Sequence, residues 1–137
     1  MSQPSPRGID RHGLDDAFDA DETLKSNLLL EGRLLNARQQ PDAAADCFAR
    51  AAEVEERLGA RCAALGLREK SHVHLFSAAS CWARAGDFYT AISRGEQLLG
   101  RDDLPPRLRQ RIEEFTQTLR QRRRQWGAGL ALPAGAE

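Results

Sequence analysis

The chain has 137 residues, 41% hydrophobic and 29% charged, and its 20 basic and 20 acidic side chains leave no formal net charge. This fits one domain with flexible ends, and the even balance gives no overall attraction to nucleic acid. No stretch nears the ~18 apolar residues of a membrane helix, and the first twenty residues lack the apolar segment of a secretory signal.

Residues 1–20 are expected to be disordered or weakly docked. Pro4, Pro6, Gly8 and Gly13 interrupt them, and only Leu14 and Phe18 offer a turn that docks on a core. A first helix is predicted over about 23–39, capped by Asp21 or Thr23. Leu24, Leu28, Leu29, Leu30, Leu34 and Leu35 give it an apolar surface wide enough to need cover on two sides. Gln40-Pro41-Asp42 ends that helix, and Pro41 suits the first turn of the next, which is expected to reach residue 58. Its stripe of Ala44, Cys47, Phe48, Ala51, Val54 and Leu58 has helical spacing, and Arg50, Glu53, Glu56 and Arg57 form the polar face. Gly59 reads as its stop.

Residues 60–85 favour helix, with Gly66 and the polar run from Arg68 to His72 as candidate interruptions. From 73 to 85 the helix is firm, with Leu75, Ala79 and Trp82 on one face. Gly86-Asp87 reads as a turn and N-cap. The next helix spans 88–99, turns Phe88, Ala91, Ile92, Gly95 and Leu99 inward, and ends at Gly100. Asp103 is the expected cap of a last helix with Pro105-Pro106 in its first turn, running to about Trp126 on Leu108, Ile112, Phe115 and Leu119. Residues 127–137 read as a flexible tail. No strand alternation persists, so the fold is expected to be all-α, with its helical domain over 21–126.

Charge is unevenly spread. Asp10 to Glu22 carries six acids against Arg11, and Arg107 to Arg124 carries seven arginines against Glu113 and Glu114. The two ends are expected to attract each other, within or between chains. Cys47, Cys62 and Cys81 lie among small and apolar residues and read as reduced, buried thiols of a cytoplasmic protein.

Small and bulky residues recur in a pattern that lets helices approach closely. Gly32, Leu35, Ala44, Phe48 and Ala51 make one copy, and Trp82, Gly86, Phe88 and Ala91 the next. On these residues the chain resembles the tetratricopeptide-repeat (TPR) family over about 24–100. Ala44 and Ala91 stand 47 residues apart, against about 34 in the standard repeat. Gly95 takes the place of Phe48, and Asp103 that of the closing proline. The longer spacing is similar to extended-helix variants such as the soluble NSF attachment proteins. The resemblance implies a TPR-like α-solenoid fragment of about five helices, the last one capping. It also implies a protein–protein interaction adaptor that takes a partner peptide or helix in a groove formed by first helices. By matching positions, that groove would present Leu29, Arg33, Asn36, Phe76, Ser80 and Arg84, a set suited to an acidic or carboxylate-bearing peptide. It lacks the Lys/Asn clamp of chaperone-binding members, so no chaperone is expected.

Two alternatives stand beside this reading. Arg120, Arg122, Arg123 and Arg124 offer a surface for nucleic acid or another polyanion, although arginines near a helix C-terminus ordinarily complement its dipole. The leucine-rich first helix offers a self-assembly face and a homodimer. No metal site is expected, because His72 and His74 diverge on a helix and no zinc-ligand spacing occurs. No cofactor or enzyme activity is expected: phosphate loops and nucleophile motifs are absent, and the adjacent acid pairs diverge.

Overall fold

The computed structural model describes the backbone of residues 14–135 and the side chains of 14–126. Its five α-helices are α1 (Asp16–Ala37), α2 (Pro41–Ala64), α3 (Arg68–Arg84), α4 (Phe88–Leu99) and α5 (Pro106–Gly135), with no strand among the described residues. The fold is all-α, and each helix packs mainly on its neighbour in the chain.

The first three helices end in the same way. The amide of Gln39 donates to the Asn36 carbonyl and that of Gln40 to Leu35; Gly66 and Leu67 repeat this to Ala63 and Cys62, and Gly86 and Asp87 to Ala83 and Trp82. This pair of hydrogen bonds closes a helix through a left-handed residue. Gly66 (φ 77°) and Gly86 (φ 85°) adopt that conformation freely, whereas Gln39 holds it at φ 59°. A side chain there costs about 1 kcal/mol or more. Gln39→Gly is therefore expected to stabilise the chain by about 0.5–1 kcal/mol net of glycine's added unfolded-state freedom, read as a higher urea midpoint with an unchanged slope.

The helix bounds correct several expectations. α1 starts at Asp16, capped by Asp15, whose Oδ1 accepts from the Phe18 amide at 3.0 Å. Leu14 and Phe18 are buried in the core, so the boundary expected at residue 20 falls inside this helix, while residues 1–13 lie outside the described residues. α2 runs through Gly59 to Ala64. A Cβ on Gly59 would stand 2.8 Å from Leu75 Cδ2, and Ser71 Oγ donates to the Gly59 carbonyl at 2.8 Å. Gly59 is thus where α3 crosses α2 closely, and Gly66 supplies the stop. Asp103 does not cap α5: its carboxylate accepts from Arg68 at 3.1 Å and faces His72. α5 continues past Trp126 to Gly135.

Three groups of buried side chains hold the helices. Leu14, Phe18 and Leu28 of the amino-terminal segment close with Ala51, Ala52, Val54, Leu58 and Cys62 of α2 and Cys81 of α3. Ala91 and Ile92 of α4 close with Leu119 of α5, with Trp82 of α3 packed against them, while Leu98 of α4 and Leu104 close with Ile112 of α5, with Leu75 and Phe76 of α3 packed against them. The α3 helix therefore joins the three groups.

Among the described residues, no ion pair within the chain joins Asp15 or Asp21 of the acidic amino end to the arginines of α5. Asp21 takes Arg57 at 3.1 Å and Asp15 takes Arg61, both across the α1–α2 interface, while Arg120 pairs with Glu96. Glu56, on the polar face of α2, accepts from Trp82 Nε1 at 2.9 Å and Arg94 Nε at 2.8 Å, tying α2 to α3 and α4.

Candidate functional site

The α1, α3 and α5 helices contribute to two adjoining depressions. The first, about 320 Å³, is lined by Arg33, Asn36, Phe48 and Arg84. The second, about 540 Å³, includes Phe76, Ser80, Arg84, Arg111, Phe115 and Arg122. Arg84 lines both. Five of the six positions carried over by resemblance therefore border this surface. Leu29 does not line either depression; it packs, half-buried, against the core shared by α1, α2 and α3.

The floor is aromatic and the rim basic. Phe76 and Phe115 meet edge-on at 5.3 Å and 88°. The Arg84 guanidinium lies 5.5 Å from the Phe48 ring centre, and Arg111 lies 5.5 Å from that of Phe76. Each such contact contributes about 0.5–1 kcal/mol at an exposed site and leaves the outward N–H groups free to donate. Among the described residues, Arg33, Arg84, Arg111 and Arg122 have no carboxylate within salt-bridge distance. Glu114 is the one acid lining the two depressions.

Arg111, Phe115 and Arg122 of α5 line the second depression, whereas Arg111 and Phe115 are not among the residues expected at a site and Arg122 is expected on a separate polyanion surface. Their signal was the spacing Arg111, Phe115, Thr118 and Arg122, which puts them on one face of α5. Of the other arginines proposed for polyanion binding, Arg120 is tied to Glu96, and Arg123 and Arg124 are exposed on α5.

The histidines point to separate places. His74 Nδ1 lies 2.7 Å from Glu55 Oε1, and its ring meets Phe18 edge-on. His72 is buried, with Nε2 3.2 Å from Asp103 Oδ1 but out of hydrogen-bond alignment. It borders a third depression with Arg68, Ser71, Arg101 and Asp102. The hydrogen bond from Arg68 helps hold the Asp103 carboxyl below its ordinary pKa. Among the described residues, no three His, Cys, Asp or Glu side chains are arranged to hold a metal ion, and no helix is long and apolar enough to cross a membrane.

All three cysteines are free and buried. Burial, with the Glu55 charge adding to it, pushes the Cys81 thiol from 9.0 up to about 11. Burial raises Cys47 and Cys62 as well. These shifts oppose the thiolate that a nucleophile needs. They also set a pH dependence. The unfolded thiol ionises first, so the stability from burying neutral Cys81 is complete below about pH 9 and lost as pH rises towards 11. Urea titrations at pH 8 and pH 10.5 are expected to show this loss, and Cys81→Ala is expected to reduce it.

Comparison with protein-family models, with curated proteins and with solved structures finds no match.

Proposed function

We propose that the chain is a TPR-like, non-catalytic protein–protein interaction adaptor of the cytoplasm, and that a partner peptide or helix lies across α1, α3 and α5. The observation that carries this reading is the set of four arginines without carboxylate partners around a phenylalanine floor. Unpaired guanidiniums held on aromatic faces favour an acidic partner, because each can give two parallel hydrogen bonds to one carboxylate. The apolar floor accepts a side chain next to that acid. Packing in chain order, the close approaches at Gly32 and Gly59, and the shared helix endings support an α-solenoid arrangement. The buried, unpaired thiols support a reducing compartment.

Charge reversal tests the groove. A labelled peptide alternating Glu with Leu and Phe is expected to bind the wild-type chain, while its Lys counterpart is not. Arg84→Glu is expected to weaken binding about tenfold or more, since hydrogen bonds to charged groups each contribute about 1.5–3 kcal/mol. Its circular dichroism should stay unchanged, because Arg84 makes no ion pair. Binding that ignores Arg84→Glu but falls steeply with salt and with Arg123→Glu/Arg124→Glu would replace this reading with polyanion binding along α5.

A further inference from the structure

Among the described residues, none covers one face of α1. Ala20, Thr23, Asn27, Leu30, Leu34 and Ala37 are all exposed, with Leu30 at 52% and Leu34 at 46%. Their spacing alternates three and four residues without a break, the repeat of a coiled-coil seam. The stripe shares no residue with the groove. α1 is 22 residues long, about 33 Å of helix.

We propose that a second copy of this chain covers the stripe, with the two α1 helices antiparallel about a two-fold axis. Charge selects the direction. The exposed Asp16 begins the helix and the exposed Arg38 ends it, and neither has an ion pair among the described residues. A parallel pair would set Asp16 against Asp16 and Arg38 against Arg38. An antiparallel pair brings each Arg38 to the acidic first turn of the other copy. Side-chain size selects the register. When Ala20 lies opposite the other copy's Ala37, Thr23 faces Leu34 and Asn27 faces Leu30. Every leucine then meets a smaller residue, and each layer occurs twice, as two-fold symmetry requires.

Light scattering of the full chain over a concentration series tests the pairing. The mass is expected to rise from 15.2 kDa to twice that value. Leu30→Glu and Leu34→Glu should hold it at the monomer value with wild-type circular dichroism, since both positions are exposed. A wild-type chain that stays monomeric throughout overturns the proposal, as does a dimer that survives both substitutions. Orientation is read by oxidising a mixture of Asn27→Cys and Leu30→Cys chains, whose native cysteines are buried. Antiparallel pairing links the two variants to each other, whereas Leu30→Cys linking efficiently to itself would point to a parallel pair and overturn the arrangement.

Discussion

Glu55→Ala is expected to destabilise the chain by about 3 kcal/mol, the low end of what breaking a buried ion pair costs. Glu55 is only 3% exposed, in the middle of α2. Its Oε1 lies 2.7 Å from His74 Nδ1 on α3, and its Oε2 lies 3.7 Å from Lys25 Nζ on α1. Lys25 also reaches Glu22 at 2.7 Å. Burial works against the Lys25 ammonium, but the Glu22 hydrogen bond and the Glu55 and Glu22 charges outweigh it and leave the pKa above its ordinary value. One carboxylate therefore organises three helices. Removing it takes the close partner from the largely buried His74 imidazole, leaves Lys25 with Glu22 alone, and opens a cavity between α1, α2 and α3. Glu55→Gln keeps the volume and a polar contact to His74, and is expected to cost less than half as much. In thermal melts the alanine variant should fall by about 10 °C. A fall of only a degree or two would mean that the network adds little to stability.

The second large effect is expected at Gly95, where α4 crosses α5. A Cβ there would stand 2.5 Å from Thr116 Cγ2. Thr116 cannot yield easily: it is 1% exposed, branched at Cβ, and its Oγ1 donates to the Glu113 carbonyl at 3.0 Å. Alanine in place of a mid-helix glycine ordinarily gains about 1 kcal/mol. Here overpacking of about 1–3 kcal/mol opposes that gain, and a net loss is expected for Gly95→Ala. Thr116→Ser removes Cγ2 and keeps the hydroxyl, so adding it to Gly95→Ala should restore much of the loss. A double-mutant cycle measures that coupling directly. A Gly95→Ala chain more stable than wild type would show that the two helices separate cheaply.

Periodicity and turn chemistry carried most of the fold. The stripe from Ala44 to Leu58, the turn at Gly86-Asp87 and the helix ending at Leu99 are local patterns, and they stand where local rules put them. The errors came from partners distant in sequence. Gly59 looks like a stop until Ser71 and Leu75 are seen against it. Asp103 looks like a cap until Arg68 is seen donating to it, with His72 beside it. Glu55 gives no sign in the sequence of the buried network it centres. On α1 and α3, the expected positions Arg33, Asn36, Phe76, Ser80 and Arg84 line the two depressions, because helical spacing puts residues three and four apart on one face. The α5 wall was not legible in the sequence, because Arg111 and Arg122 were read with a solvated basic face and Phe115 with the core stripe. Helix packing brings these residues beside Arg84 and Phe76.

Selection from a random peptide library against the immobilised full chain tests the groove most directly, since it presumes no partner. The expected result is a family of peptides joining acidic residues to an apolar or aromatic anchor, whose binding is lost on Arg84→Glu and on Arg111→Glu while both variants keep the wild-type circular dichroism. Selected peptides without acidic residues, or acidic ones that bind both variants as well as wild type, would contradict a partner site across α1, α3 and α5.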